Sequence, residues 1–354
     1  MTFDFSSLTV YYITGTGNAA SAAAWVADEA LKAGLPSTVI DIAANEIPPM
    51  PPAAEHPLIG FSYPTHGFNA IPAMIYFMLR LQRGEGRKVF LMNTRGGLKL
   101  SRLFVNGVSG MALLLPAFIL LMKGYRCIGF RPVDLPSNWI SLHPGVRREV
   151  ISSIYDHWEI NVRGFARKIL SGKRVWRGLY SWPLDVALIP VALGYYLGGR
   201  FFLSKTFAAG TDCNLCGLCN KECPTRSIRI VDGRPYWKLT CESCMKCLNR
   251  CPERAIQTTH GLAVAFWLII SSLFGVIFPA IVSIGGINQS AIWWKITEQF
   301  LQFGVLIATV WAGYLIIHYI QHFKPFRYII EFTSLSRFGF WRRYLSPLYK
   351  KGRK

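Results

Sequence analysis

Eight cysteines between Cys213 and Cys251 constrain this chain more than any other feature. They form two blocks, C-N-L-C-G-L-C-N-K-E-C-P and C-E-S-C-M-K-C-L-N-R-C-P, each with the spacing C-x2-C-x2-C-x3-C-P. That spacing wraps three thiolates round one corner of a cubane iron–sulfur cluster and sends the fourth to a neighbouring cluster. In this crossed arrangement Cys213, Cys216, Cys219 and Cys251 hold one [4Fe-4S] cluster, while Cys241, Cys244, Cys247 and Cys223 hold the other. Pro224 and Pro252 turn the chain away after each fourth ligand. A pair of zinc sites or a disulfide framework is the plainer alternative, but structural zinc takes four ligands per ion at other spacings. The ninth cysteine, Cys127 in the run Arg126-Cys-Ile-Gly-Phe, reads as a buried strand residue rather than a functional thiol.

The chain has 354 residues, too many for the cysteine module alone, so two or three structural units are expected. Thirty-nine Lys and Arg against nineteen Asp and Glu give a formal charge of +20. Such an excess suits a nucleic acid, a membrane surface or an acidic protein, and composition does not choose among them. With eight cysteines committed to the blocks there is no disulfide framework, which implies a reducing compartment.

Asp4 stands where a signal peptide would be basic, and the first apolar run is too short for one. Residues 8 to 13 instead read as a strand leading into Thr14-Gly-Thr-Gly-Asn18 and an alanine-rich helix from about 19 to 32. Strand, tight glycine turn and helix make a phosphate cradle from backbone N–H groups and the hydroxyls of Thr14 and Thr16. Strands near 37 to 41, 58 to 62, 88 to 93 and 126 to 133 alternate with helices near 70 to 83, 100 to 122 and 146 to 170, predicting a five-stranded doubly wound parallel sheet. Two ligands suit the cradle. Gly15, Gly17 and Ala20 fit G-x-G-x-x-A, with Asp41 placed to grip a dinucleotide's ribose. The hydroxyl-flanked first loop, with later loops Ser62-Tyr-Pro-Thr-His-Gly-Phe68 and Asn93-Thr-Arg-Gly-Gly97, favours the flat ring of a flavin mononucleotide (FMN) at the switch point.

Thr14-Gly-Thr-Gly-Asn18, Leu135-Pro-Ser-Asn-Trp139 and the paired cysteine blocks together resemble the family of flavodoxin–ferredoxin fusion proteins. The resemblance covers residues 1 to about 258. It implies an α/β flavodoxin-like domain over 1–170 and a small α+β two-cluster ferredoxin domain over 212–258. The implied FMN site comprises Thr14, Gly15, Thr16, Gly17 and Asn18, then Tyr63, Pro64, Thr65, His66 and Gly67, then Asn93, Thr94, Arg95, Gly96 and Gly97. Ala19 departs from the family, standing where flavodoxins carry a hydroxyl on the phosphate, a loss of about 1 kcal/mol. A positive charge on His66 or Arg95 roughly 7 Å from the ring would be worth about 2 kcal/mol, making the flavin less strongly reducing than a flavodoxin's.

Residues 171–211 link the two modules. Their apolar part, 184 to 203, is interrupted by Asp185, Pro190, Gly194, Gly198, Gly199 and Arg200, so it reads as an interfacial or packed helix rather than a span. Farther on, 261 to 282 carries no charge and 300 to 320 none but His318, so 261–320 reads as a two-helix transmembrane hairpin with Trp293, Trp294 and Lys295 at its turn. Basic residues crowd the ferredoxin side and the 321–354 tail, which places the redox domains and the tail on the cytoplasmic side of a multi-pass membrane protein. The tail's Arg337-Phe-Gly-Phe-Trp-Arg-Arg-Tyr344 mixes aromatics with cations as a surface for anionic lipid does, which answers the charge question better than nucleic acid. His260 and His318 would face each other at the cytoplasmic ends, as interfacial polar residues or as quinone or haem ligands.

The expected function is electron transfer between the clusters and FMN, to or from a redox partner protein or a membrane-associated acceptor such as a quinone or lipid-like molecule. A carrier subunit feeding a separate enzyme is the alternative, ahead of a redox sensor. No residue stands out as a general acid or base.

Overall fold

In the N-terminal half, apolar residues alternate along each strand and divide between two cores, one on each side of a single sheet. A computed structural model describes residues 4–44, 49–277, 280, 283 and 292–347. Strands β1 (Leu8–Tyr12), β2 (Ser37–Asp41), β3 (Leu58–His66), β5 (Lys88–Leu100) and β7 (Arg126–Pro136) are parallel in the order β2-β1-β3-β5-β7. Two short strands attach antiparallel, β4 (Asn69–Ala70) to β3 and β6 (Leu103–Val105) to β5. This is the flavodoxin-like doubly wound order. Leu8, Val10, Phe90 and Met92 point to the side covered by α1 (Asn18–Lys32) and α4 (Arg148–Leu170). Tyr11, Ile59, Phe61 and Leu91 point to the side covered by α2 (Pro72–Arg80) and α3 (Met111–Met122). Cys127 lies half-buried on β7, where burial pushes its thiol up to about 11 and keeps it protonated.

One expected helix is corrected. The stretch from 100 does not enter a helix at once: β5 runs to Leu100, turns through Ser101 at φ 54° and returns as β6, so α3 begins only at Met111. Leu98, Leu100 and Leu103 are apolar but exposed, a strand hairpin's pattern that reads as one helical face when counted with the run beyond it.

Between the modules lie α5 (Trp182–Ala187), α6 (Ile189–Gly194), a π-helical turn Tyr195–Gly199 and α7 (Arg200–Lys205). Asp185 is buried, accepting from the Gly110 amide at 2.7 Å and the Ser181 hydroxyl at 2.9 Å, so this segment is pinned onto the flavodoxin-like domain.

The cysteine module pairs β8 (Phe207–Ala209) with a later strand β11 (Ile256–Thr258), and encloses α8 (Leu218–Lys221), the hairpin β9 (Ile228–Val231)–β10 (Arg234–Trp237) and α9 (Lys246–Arg250). Its core also takes Ile140, Tyr314 and Trp341 from outside the module. After it come α10 (His260–Ser272), α11 (Ile292–Ile320) and α12 (Lys324–Phe332). Trp294–Ile320 is long and apolar enough to cross a membrane, and only 17% of its most apolar stretch is buried, unlike a core helix. Phe266 of α10 packs on Gly313 of α11. The chain between residues 284 and 291, most of the expected hairpin turn, and residues from 348 onward lie outside the described residues.

The C-terminal segment departs from expectation in part. Trp341 and Tyr344 do not lie on the surface, whereas Arg337, Phe338, Phe340 and Arg342 do: the Trp341 indole donates to the Ile140 carbonyl at 2.5 Å, and the Tyr344 amide donates to Asn249 Oδ1 at 2.7 Å. Ser346 reaches the first glycine loop, donating from its amide to the Thr16 carbonyl at 2.9 Å. The tail is therefore a clasp between the flavodoxin-like domain and the cysteine module, made through Trp341, Arg343, Tyr344 and Ser346. His260 and His318 do not face each other either. His260 bonds the Ser141 carbonyl and the Leu335 amide, whereas His318 packs among Tyr236, Gln321 and His322.

Candidate functional site

At the C-terminal ends of β1, β3, β5 and β7, where the strand order reverses, the loops enclose a cleft of about 210 Å3. Thr14, Gly15, Thr16 and Asn18 form one wall, Pro64 to Phe68 and Thr94 to Gly96 the next, and Pro136 to Trp139 the last. Gly17 sits at φ 102° just before α1, a left-handed turn glycine adopts cheaply, and its amide donates to Thr14 Oγ1 at 2.9 Å. Helix α1 has no side-chain cap, so its first-turn N–H groups are left for an anion. Asn138 holds the loop from the far side, its amide donating to Thr16 Oγ1 at 2.9 Å. These donors and the flanking apolar and aromatic groups fit a phosphate joined to a flat ring.

Not every expected residue lines the cleft. Tyr63 is fully buried with its hydroxyl on the Ala112 carbonyl; Asn93 ties Thr65 to Ser109; Gly97 packs on Asp134. Those three shape the loops from behind, as Gly17 does. Phe68, Val108, Pro136, Ser137, Asn138 and Trp139 line it without having been singled out as ligand contacts, although 135–139 was conspicuous as a motif. Asp41 is absent from the lining; its carboxylate accepts from Ala43 in its own turn. The dinucleotide reading loses its ribose ligand thereby.

The expected positive charges are silenced. Arg95 is buried in a two-pronged pair with Asp134, at 2.5 and 3.1 Å, so its charge is met within the protein. Burial pushes His66 down to about 4, against the pull of its hydrogen bond to the Glu242 carbonyl, so it is neutral at ordinary pH. Burial likewise pushes the Glu242 carboxyl up to about 8.

All eight block cysteines line a second cavity. Their thiols feel one another in two groups. Cys219, raised to about 11 first by burial, is further raised by Cys213, Cys251 and Cys216. Cys247, raised well up by burial, answers next to Cys241, Cys244 and Cys223. The same two quartets are the ones grouped by the crossed reading of the spacing. A tetrahedral zinc with bonds near 2.3 Å would bring its sulfurs to about 3.8 Å apart. Among the described residues these cysteines do not form a group of three with all ligand atoms within 4.8 Å of one another.

The two cavities meet. A Cβ on Gly15 would overlap the carbonyl oxygen of Cys244, so only glycine permits this approach of the first glycine loop to the cysteine loop. Asn138 bridges the same place, donating to Thr16 and, at 3.2 Å, to the Cys244 carbonyl. His66 bonds the backbone beside Cys241 on the other flank.

No family model and no curated protein matches the chain. Among solved structures, a flavodoxin from the Archaea shares 12% identity over 46% of this chain and 99% of its own, at a TM-score of 0.28. An azoreductase from Bacillus anthracis shares 12% over 46% and 99%, at 0.31. Flavodoxin 1 from Bacillus cereus shares 16% over 44% and 97%, at 0.28. The fold assignment rests on the strand order, to which these distant likenesses add no weight.

Proposed function

We propose that this protein is a membrane-associated electron-transfer flavoprotein in which FMN and two [4Fe-4S] clusters exchange electrons within one chain. The observation that carries this reading is the Gly15–Cys244 approach, which sets the loop suited to the flavin directly on the loop suited to one cluster. When bound, the clusters exchange electrons singly and the flavin one or two at a time. The protein's own part is positional. Thr14 and Gly17 set the cradle, Asn138 ties it to the Cys244 loop, and His66 stands uncharged beside the junction. Cys216 is exposed, which makes the first-block cluster the side for exchange with an outside carrier. Arg147, Arg148, Arg254 and Arg342 gather round a cleft reaching Cys251, a surface suited to an acidic redox protein.

The carrier-subunit variant is favoured over a dedicated reductase by the cleft itself. Among the described residues its titratable side chains are His66, which burial makes a weak base, and Arg95, which is paired with Asp134. We place the redox modules on the cytoplasmic side, with α10 and α11 crossing the membrane, from the basic excess on that side and the exposed apolar length of α11. Anaerobic reduction of the clusters while flavin absorbance is followed tests the pathway. Asn138→Ala, which removes the bridge between Thr16 and the Cys244 carbonyl, should slow flavin reduction measured per bound flavin; equal rates would remove the junction from the path.

A further inference from the structure

Three metal-binding side chains that neither redox centre uses converge where α11 meets the β9–β10 hairpin. We propose that Asp232, His318 and His322 form a site for one divalent transition-metal ion, zinc being the best fit. The ligand atoms of all three lie within 4.8 Å of one another. His318 lies in the last turn of α11 and His322 in the turn just beyond its end, with ring centroids 5.9 Å apart. Asp232 comes from a different element, the hairpin turn, where its φ of 47° carries the chain from β9 into β10.

His318 gives the second and independent sign. It is only 9% exposed, yet its Nε2 has no hydrogen-bond partner. Such a buried polar atom is costly unless something binds it. Its other nitrogen, Nδ1, lies 2.7 Å from the Gln321 side-chain amide, whose Oε1 is likewise buried without a partner. Reversed in place, that amide accepts from Nδ1–H and directs the Nε2 lone pair outward, the outer-shell arrangement that orients a metal-bound histidine. The helix C-terminus adds partial negative charge, favourable to a cation.

Two imidazoles and one carboxylate suit zinc, with a fourth position open, while magnesium and calcium prefer oxygen alone. Donors now within 4.8 Å need close only to about 3.4 Å for a tetrahedral ion. The ion would join the membrane-crossing helix to the cluster module at a point where the two already touch, the Trp237 amide donating to the Tyr314 hydroxyl at 2.7 Å.

The test uses the full chain in detergent, without a polyhistidine tag, exposed to buffered zinc and passed over a chelating resin. Zinc and iron per chain are then measured together. The wild type should retain about one zinc with its iron unchanged, and His322→Ala and Asp232→Asn should bind it at least roughly ten-fold more weakly. Both replaced residues are exposed, so folding is not at stake. Zinc should also raise the Tm of the wild type and not of the variants. Equal zinc in wild type and variants, or none in the wild type, would overturn the site.

Discussion

Gly15 and Gly17 are adjacent in the same motif yet answer to different constraints, one to a neighbouring backbone and one to its own dihedral. Gly17→Asp should therefore expel FMN and leave iron content unchanged, because its carboxylate would stand at the anion cradle; the ratio of flavin to iron in purified protein reads this directly. Arg95→Leu should cost about 3–5 kcal/mol by stranding the buried Asp134 carboxylate, and Asp134→Leu added to it should recover part of the lost Tm. His66 supplies a pH dependence. Its folded pKa of about 4 lies below the ordinary 6.5, so the unfolded chain takes up the proton first. Stability from this group is complete above about 6.5 and falls by up to about 3 kcal/mol as pH drops towards 4; Tm in His66→Gln should fall less steeply over that window. The gathering of the first glycine loop at one cleft and of the eight cysteines at another was legible, because spacing alone groups them. The neutrality of His66 and the pairing of Arg95 were not, since Asp134 and the Glu242 carbonyl come from distant segments.

Among elements, the parallel strands were readable from apolar runs, whereas the protein contacts of the 337–347 segment were not. Mixed aromatic and basic residues describe a lipid-facing surface and a buried clasp equally well until partners are known. Here the partners are Ile140, Asn249 and Thr16, spread along the chain. Arg343 also donates to the carbonyls of Arg254 and Ile256, at 2.6 and 2.8 Å. Ending the chain before residue 337 should thus yield protein that loses flavin and iron together on purification. A truncated chain with full cofactor content would show the clasp to be dispensable. The pairing β2-β1-β3-β5-β7 followed from the alternation of strand and helix, but the β5–β6 hairpin did not, because its exposed leucines share a helix's spacing.

At the scale of the molecule, the decisive arrangement is that cleft and cysteine cage share a wall at Gly15 and Cys244, held on one side by Asn138 and on the other by His66. Nothing in the sequence order announces that contact, since the two glycine- and cysteine-rich loops lie far apart along the chain. The central claim is that one chain houses a flavin and two clusters in contact. Its most direct test is the cofactor content of anaerobically purified, full-length protein. About eight irons and eight acid-labile sulfides with one FMN per chain are predicted; four irons, zinc in place of iron, or an absence of flavin would contradict it.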